Sequence, residues 1–172
     1  VRIVEAVQSV LLGERVWLSR DTRVKPRLDL PKQFINPIVS VVPTAYGCLG
    51  SCNYCCVVHA RGRLCSSRIE EASERVRGDL VAGAKEVWLT GQDMACYGRD
   101  IGVNVANLLK AVCALDGEFF VRVGMMTPNC VLDMLDPLIA AFRDSHVFKF
   151  LHLPVQSGDN EVLKRMNRFY SI

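Results

Sequence analysis

Strand-like and helix-like segments alternate from residue 38 onward, and this alternation limits the possible folds more than any other feature of the sequence. Short runs rich in β-branched and aromatic residues occur at 38–42, 86–90, 119–123 and 147–153. Between and after these runs, apolar residues recur at helical spacing over stretches of about 12–15 residues. Alternating strands and helices form βαβ units, whose crossovers place helices outside a parallel sheet. The sequence therefore predicts an α/β fold with a curved parallel sheet.

Side chains that cap helices mark where several of these helices should begin. The candidate caps are Ser67 with Glu70, Asn104 and Asp159. Each precedes apolar residues at helical spacing, as expected of a side chain that accepts hydrogen bonds from the first backbone amides of a helix. A further helix is expected over residues 132–142, with a restart at Pro137.

The sequence before residue 37 divides into two further segments. Residues 1–19 carry apolar side chains at helical spacing, followed by a possible short strand at 16–18. Residues 20–36 contain charges and prolines, which predict an extended linker because proline withholds a backbone donor. We therefore expect the tail of a preceding domain at 1–19, a linker at 20–36 and the main domain at 37–172. Since the first residue is Val1, we expect an excised or processed piece.

The overall composition narrows the class of protein. The 172-residue chain has a formal net charge of +3, which permits a negatively charged partner without requiring one. No apolar run reaches the roughly 18 residues of a membrane span, and early charges argue against a signal peptide. Eight cysteines without a secretory signal predict metal or redox chemistry in a reducing compartment. We expect a cytoplasmic protein or, after loss of a transit peptide, a mitochondrial one.

The loop after the first predicted strand, residues 45–63, holds the densest group of cysteines. Parallel sheets bind ligands at the carboxyl ends of their strands, so a site is expected here. Cys48, Cys52 and Cys55 have the spacing C-x3-C-x2-C, and their thiolates suit zinc or an iron–sulfur cluster. One alternative is a structural zinc ion with His59 or Cys65 as fourth ligand. The other is a [4Fe–4S] cluster with one open iron, held by three thiolates instead of the usual four.

The remaining cysteines are expected to stay outside this site. Cys56 directly follows Cys55 and is poorly placed to turn toward the same group, so we expect a free thiol or small residue packed behind the loop. Cys65, Cys113 and Cys130 are too scattered in the sequence to supply a second set of ligands. We assign these three to the core or to free thiols.

Four segments of the chain together resemble the radical S-adenosylmethionine (radical SAM) methylthiotransferases. They are KPRLDLPK (25–32), NPIVSVVPTAYGCLGSCNYC (36–55), TGQD with YGRDIG (90–102) and LHLPVQSGDNEVLKRMNR (151–168). The segments occur in the family's order and cover nearly the whole chain. The resemblance implies a partial (β/α) TIM-like barrel of the radical SAM type, truncated to about four β/α units.

The resemblance assigns Cys48, Cys52 and Cys55 to a [4Fe–4S] cluster whose open iron binds the amino and carboxylate groups of S-adenosylmethionine. In this family, an electron from the cluster cleaves that cofactor to a carbon radical, which removes hydrogen from an unreactive carbon before a methylthio group is installed. A second [4Fe–4S] cluster is expected only in an N-terminal domain outside this sequence. The chain alone is therefore expected to cleave the cofactor at most, without transferring sulfur.

Five further residues acquire cofactor-binding roles by resemblance. Tyr54 lies where the family places an aromatic ring near the adenine, and Thr90, Gly91 and Gln92 follow the second strand, where the family contacts the methionine part. Gln156 would line the same pocket. The ordinary alternatives are a core tyrosine and capped polar residues in loops.

The segment VVHARGR (57–63) indicates a substrate, because it resembles the archaeal and eukaryotic branch that modifies N6-threonylcarbamoyladenosine at position 37 of tRNA. The expected partner is tRNA, with Arg61, Arg63 and Arg68 as possible phosphate contacts or, alternatively, as a solvated basic loop. In CYGRDIG, Cys96 replaces a small residue of that branch near the expected pocket. Alternative substrates are isopentenyladenosine-37 tRNA and a ribosomal protein; a different class is a non-catalytic, zinc-stabilised nucleic-acid-binding module. We expect a monomer, and the sequence does not indicate an electron donor.

Overall fold

A three-stranded parallel sheet forms the centre of the computed structural model, which describes residues 3–17 and 27–172. Its strands, in spatial order, are β1 (Val39–Pro43), β4 (Glu86–Thr90) and β5 (Phe120–Val123). A separate antiparallel pair consists of β2 (Ala45–Tyr46) and β3 (Cys65–Ser66). The predicted α/β class with a parallel sheet is confirmed.

The two faces of the parallel sheet differ because side chains alternate along a strand. Val42, Val87 and Leu89 are fully buried on the face covered by helices. On the other face, Val41 of β1 pairs with Trp88, which pairs with Arg122 of β5. The Arg122 guanidinium lies 4.8 Å from the Trp88 ring centroid. Among the described residues, the helices therefore cover one face of the sheet.

The helices follow the strands as the sequence pattern predicts. They are α1 (Ile3–Leu11), α2 (Val57–Arg61), α3 (Ile69–Val81), α4 (Val105–Cys113), α5 (Pro128–Leu132), α6 (Leu135–Phe142) and α7 (Asn160–Arg165), with a 3₁₀ turn at Met94–Cys96. Helix α3 packs against β1 and α4, and α4 packs against α6. In the described part of the chain, no helix combines the length and the apolar content needed to cross a membrane.

Two of the predicted helix caps are confirmed and one is wrong. The Asn104 carboxamide accepts a hydrogen bond from the Asn107 amide at 3.0 Å, and the Asp159 carboxylate accepts one from the Val162 amide at 2.9 Å. The pair Ser67 and Glu70 does not begin α3. Instead the Arg68 amide donates to the Glu71 carboxylate at 3.1 Å, because α3 begins one residue later than the pattern indicates.

The fourth predicted strand, residues 147–153, is wrong. Its pairing with β5 is limited to a single bridge between Val121 and Val147. Beyond that bridge, the Lys149 ammonium group donates to the carbonyls of Phe142 and Asp144, both at 2.5 Å. These bonds hold the segment toward the end of α6, so it runs beside β5 without forming a ladder.

The helix expected over residues 132–142 is divided into α5 and α6. The break lies at Met134, whose backbone is outside the helical region, with φ −138° and ψ 30°. Helix α6 therefore restarts at Leu135 instead of Pro137. Pro137 lies in the first turn of α6, where its missing N–H leaves no helical hydrogen bond unmade.

The predictions for the first 36 residues are tested only in part. The helix in the first segment is confirmed by α1, whereas residues 14–17 form no strand and Leu18 lies outside the described residues. Residues 27–36 contain no helix or strand, and the start of the expected linker, residues 20–26, also lies outside the described residues. The division into domains stays a prediction.

Candidate metal and cofactor site

The cysteine loop projects from the carboxyl end of β1, and its two ends are tied together. Strands β2 and β3 pair across its base, and the Cys48 amide donates to the Gly62 carbonyl at 3.2 Å. Gly47 has a positive φ of 74°, and a Cβ atom there would lie 2.6 Å from the Gly62 carbonyl oxygen. Only glycine fits this close approach of two backbone segments. The sequence analysis did not predict this closed base.

A short helix that was not predicted from the sequence, α2, follows the cysteines. The Cys56 carbonyl accepts hydrogen bonds from the amides of His59 and Ala60, both at 3.0 Å. Cys56 is exposed at the beginning of this helix, so it is a free thiol but is not packed behind the loop. The two proposed fourth ligands of a zinc ion lie apart, with His59 exposed on α2 and Cys65 half-buried in β3.

Cys48, Cys52 and Cys55 lie on one side of the loop. The Gly50 amide donates to the Cys48 sulfur at 3.1 Å. A Cβ atom at Gly50 would lie 3.3 Å from the Cys48 sulfur and 3.5 Å from the Cys52 sulfur, so the absent side chain leaves room between two thiols. Burial raises the pKa of Cys48, against a smaller opposing effect of the Gly50 hydrogen bond. A bound cation would reverse this cost by favouring the thiolate.

A cavity of about 420 Å³ opens beside the three thiols. Its wall contains Cys48, Cys52, Cys55, Tyr54, Gln92 and Gln156, which were all predicted from the sequence. Thr90 and Gly91 do not line it. The Thr90 carbonyl accepts from the Thr44 amide at 2.9 Å, and Gly91 packs against Ala45 and Met94. These two residues join β4 to the start of the cysteine loop.

Two glutamines of the cavity have features that the fold itself does not require. The side-chain oxygen of Gln92 is buried and has no hydrogen-bond partner among the described residues. An unpaired buried acceptor costs about 1–3 kcal/mol, which a ligand that donates to it would recover. Gln156 has a φ of 67°, a conformation that residues other than glycine adopt at a cost. Both observations indicate a ligand in this cavity.

The residues after α7 close the cavity from the far end of the chain. The Asn167 carboxamide donates to the Ser51 carbonyl at 2.7 Å, and the Asn53 carboxamide donates to the Arg165 carbonyl at 2.7 Å. The Arg168 guanidinium lies 5.6 Å from the Tyr54 ring centroid and contacts its hydroxyl group. We call Asn167 and Arg168 the closing pair. Sequence analysis missed their roles, although both lie in the matching segment 151–168.

The inner wall of the cavity contains a second group of thiols that the sequence analysis did not bring together. Cys96 and Cys130 are buried, and their sulfurs are 3.3 Å apart. Cys130 is a core thiol as expected, but the sequence distance between the two cysteines concealed their contact. Asp93 lies beside them, and its carboxylate accepts a hydrogen bond from the Cys96 thiol at 3.1 Å.

The three predicted RNA-binding arginines lie outside the cavity wall. Arg61 donates to the Tyr46 hydroxyl at 3.1 Å and lies 5.3 Å from its ring centroid. Arg63 is exposed in the same loop, and Arg68 is exposed at the beginning of α3. These three side chains are available on the surface near the cysteine loop, and their contacts with RNA stay a prediction.

The spacing of the thiols allows a comparison of the two candidate ligands. A tetrahedral zinc ion with Zn–S bonds of about 2.3 Å holds its sulfurs within about 4 Å of one another. In residues 3–17 and 27–172, the group of three potential ligands found within 4.8 Å is Asp93, Cys96 and Cys130, and not the three loop thiols. An iron–sulfur cluster holds each thiolate on a different iron and therefore at wider spacing. The loop fits the larger group better.

Comparison with known proteins agrees with this geometry. The chain is 47% identical over 173 residues to a probable threonylcarbamoyladenosine tRNA methylthiotransferase of Pyrococcus abyssi, covering 99% of this chain and 41% of the relative. It is 38% identical over 178 residues to the threonylcarbamoyladenosine tRNA methylthiotransferase of Homo sapiens, covering 99% of this chain and 31% of the relative. The chain thus spans less than half the length of these relatives. The profile of the Radical SAM superfamily matches residues 42–172, from β1 through the cysteine loop to the closing pair, and the chain belongs to this superfamily.

Proposed function

We propose that this chain is the cofactor-binding part of a radical SAM methylthiotransferase that modifies N6-threonylcarbamoyladenosine at position 37 of tRNA. The observation that carries the proposal is the cavity beside the cysteine loop, where three thiols at C-x3-C-x2-C spacing lie next to a buried, unpaired glutamine oxygen. The relatives whose names state this activity match the chain over nearly its full length. The sheet is proposed to be part of a TIM-like barrel, with the cavity at the carboxyl ends of its strands.

Cys48, Cys52 and Cys55 would hold a [4Fe–4S] cluster through their thiolates. Three protein ligands leave one iron open for a donor from outside the chain. When bound, the cluster and S-adenosylmethionine supply a carbon radical that removes hydrogen from an unreactive C–H bond. The remaining task of the protein is to bind, orient and shield these groups.

The residues around the thiols supply contacts suited to S-adenosylmethionine. The unpaired Gln92 oxygen accepts a hydrogen bond, which an amino group of the cofactor would donate. Tyr54 is half exposed at the cavity wall, where its ring offers an apolar face to an adenine. Gln156 adds a second amide to the same wall. Binding of the cofactor would exclude water from the buried side of the cavity.

The proposed tRNA would approach over the basic surface outside the cavity. Arg61, Arg63 and Arg68 lie on the exposed side of the cysteine loop and the beginning of α3. Arginine binds phosphate through a planar group with several donors, which suits the backbone of an anticodon loop. Methylthio transfer is further expected to need a second cluster in an N-terminal domain outside this sequence.

Anaerobic reconstitution with iron and sulfide tests the cofactor part of this proposal. We expect a coloured protein that holds about four irons per chain and binds S-adenosylmethionine. A colourless protein that binds one zinc ion per chain and no S-adenosylmethionine would contradict it and would support the zinc-stabilised module. Supplying zinc in competition with iron makes the two outcomes exclusive.

Mass spectrometry of tRNA nucleosides tests the substrate part. Cells that lack the full-length gene are complemented with the full-length protein, either unchanged or carrying Cys52→Ser. We expect methylthiolated threonylcarbamoyladenosine only with the unchanged protein. Return of methylthiolated isopentenyladenosine or of a methylthiolated ribosomal protein instead would identify a different substrate on the same cofactor site.

A further inference from the structure

Cys96 and Cys130 bring two loops together in the inner wall of the cavity. Cys96 ends the 3₁₀ turn after β4, and Cys130 lies in α5 after β5. Their sulfurs are 3.3 Å apart, and the two residues are only 2% and 7% exposed. Both line the cavity, so a small molecule that enters the cavity can contact them. The proposed function assigns neither thiol a role.

Asp93 fixes the two loops that carry these thiols. Its Oδ1 accepts hydrogen bonds from the amides of Ala95 at 3.1 Å and Thr127 at 3.0 Å. Its Oδ2 accepts from the Thr127 hydroxyl and from the Cys96 thiol, the latter at 3.1 Å. Both oxygens are thus already occupied by the protein. Asp93 therefore serves as a scaffold, which leaves the two sulfurs as the reactive pair instead of a metal site of three ligands.

The surroundings of the two sulfurs shift the pKa values of the two thiols in opposite directions. The Cys130 sulfur accepts a hydrogen bond from the Asn129 carboxamide at 3.4 Å and lies 3.3 Å from the Cys96 sulfur, which donates its single proton to Cys130 in place of Asp93 when Cys130 is ionised. The Arg99 guanidinium donates to the Cys130 carbonyl at 3.2 Å. The Cys96 hydrogen bond and the Arg99 charge lower the pKa of Cys130 to about 7, in spite of burial. The hydrogen bond with Cys130 and burial, together with the nearby Asp93 carboxylate, raise the pKa of Cys96.

We propose that Cys96 and Cys130 are a redox-active dithiol, which closes to a disulfide when a hydroperoxide enters the cavity. Cys130 attacks the peroxide as a thiolate and breaks its O–O bond, which gives a sulfenic acid and releases the first water once its proton is supplied. The Cys96 sulfur then attacks the sulfenic sulfur, forms the S–S bond and displaces the second water. Two thiols lose two electrons and two protons, and one hydrogen peroxide becomes two waters.

The bond would change the cavity that the cofactor needs. A covalent S–S bond is shorter than the present 3.3 Å contact between the two sulfurs, so the two side chains and the segments that carry them must rearrange. Gln92 lies four residues before Cys96 on the same loop, and Thr127 lies three residues before Cys130. Oxidation would thus displace the wall that carries the unpaired Gln92 oxygen. The pair would act as an oxidation sensor beside a site whose chemistry is reductive.

Peptide mapping of the oxidised chain tests this inference without any activity measurement. The chain, free of metal in the presence of a chelator, is treated with graded hydrogen peroxide, its free thiols are alkylated, and it is digested with trypsin. Cleavage at lysine and arginine places Cys96 in peptide 86–99 and Cys130 in peptide 123–143, each with a single cysteine. We expect the linked pair 86–99 with 123–143 to be the first disulfide formed and to disappear on treatment with a dithiol reductant.

Three variants at two buried cysteines make the result specific. Cys96→Ala and Cys96→Ser should abolish the linked peptides and leave Cys130 oxidised to sulfenic or sulfinic acid, whereas Cys113→Ser should leave the linked pair unchanged. The Cys96→Ser protein keeps a small polar group, so loss of the linked peptides in both Cys96 variants excludes a folding defect. An unchanged circular dichroism spectrum provides a second control for folding. Independent alkylation of both cysteines at every peroxide level would overturn the proposal. Linkage of peptide 123–143 to the cysteine-loop peptide 33–61 would overturn it as well.

Discussion

The buried polar groups near the two ends of β1 differ in whether they have partners within the chain. Near its beginning, the Asp79 carboxylate of α3 contacts the Lys32 ammonium and the Ser40 hydroxyl at 2.7 and 2.5 Å, and Arg75 at 3.1 Å. Beyond its other end, the cysteine thiols face a cavity, and the Gln92 oxygen, which follows the neighbouring strand β4, is buried without a partner. The first region pairs its buried charge within the chain, whereas the second presents a buried acceptor and thiols to the cavity. Stability and function are thus separated along one strand.

The Asp79 network also holds the segment that was predicted to be a linker against α3 and β1. The Arg75 guanidinium donates to the carbonyls of Leu28 and Leu30 at 3.0 and 2.8 Å, and the Lys32 ammonium lies over the Phe34 ring at 5.0 Å from its centroid. The linker therefore supplies one of the charges that balance Asp79. The difference between the two ends of β1 leads to two expectations. Substitutions in the Asp79 network should change the free energy of unfolding, and substitutions in the cavity wall should change ligand binding.

The largest expected effect follows from removing one cluster ligand. Cys52→Ser should abolish stable iron binding after anaerobic reconstitution, because a neutral hydroxyl does not replace a thiolate. The free energy of unfolding of the metal-free chain should change by less than about 0.5 kcal/mol, since Cys52 is only half-buried. Iron and sulfide assays with denaturant titration measure the two quantities.

Cys56→Ser is the matched control for that experiment. Cys56 is an exposed thiol in the same loop, four residues after Cys52, and it should be replaceable without loss of iron. If Cys56→Ser lost as much iron as Cys52→Ser, the choice of three ligands would be wrong.

The second largest effect is expected from removal of the buried Asp79 carboxylate. Asp79→Ala should lower the free energy of unfolding by about 3 kcal/mol, because Lys32 and Arg75 would lose a buried partner. Iron binding by the folded fraction should stay intact. Denaturant titration checks the first statement, and iron content of the folded protein checks the second.

Asp29→Asn serves as control for Asp79→Ala, since Asp29 forms an exposed ion pair with Arg27 in the same linker. Its unfolding midpoint should not change measurably. Equal destabilisation by the two substitutions would show that the linker contact, and not burial of Asp79, determines the stability.

A smaller effect is expected at the junction of fold and site. Gly47→Ala should destabilise the chain by about 2 kcal/mol, because of its positive φ and because the new Cβ would meet the Gly62 carbonyl at 2.6 Å. Gly62→Ala has nearly the same φ, 76°, but has nothing within 4 Å of the added atom. The difference between the two, measured by thermal unfolding, isolates the steric contact. An equal loss in both variants would contradict the tight closure of the loop.

The sequence predicted features that depend on neighbours along the chain and missed those that depend on distant ones. The caps Asn104 and Asp159 act within three residues, and the C-x3-C-x2-C spacing lies within one loop, so both were visible. The contact of Asn167 with Ser51 joins residues 116 positions apart, and no local pattern indicates it. The 147–153 strand failed for a different reason: its aromatic and aliphatic composition suits a strand, but the Lys149 side chain binds the nearby carbonyls of Phe142 and Asp144.

Ionisation of a buried thiol that binds no ligand should make the free energy of unfolding depend on pH. Burial raises the pKa of Cys113 from about 9 to about 12, with a further contribution from Asp144. The unfolded chain ionises first, so the stabilisation is complete below pH 9 and is lost as the pH rises toward 12. The slope for this group is about 1.4 kcal/mol per pH unit.

The Cys113→Ala variant measures this contribution by difference. Its free energy of unfolding should fall less steeply with pH than that of the unchanged chain between pH 9 and pH 11, as followed by denaturant titration. Parallel curves for the two proteins would mean that Cys113 ionises equally in the folded and unfolded chains, and that its burial does not protect the thiol.

The smallest expected effect concerns the closing pair. Arg168 lies over Tyr54 and leaves its Nε without a partner in the described structure, so it resembles Gln92 more than the residues around Asp79. Arg168→Lys keeps the charge but loses the planar contact with the ring. We expect weaker S-adenosylmethionine binding by the reconstituted protein, by about two- to five-fold, with unchanged stability. Arg165→Lys, an exposed position on α7, should have no effect on either quantity. A loss of stability without weaker binding would assign Arg168 to the same class as Lys32 and Arg75, as a residue that completes the fold instead of one that waits for a ligand.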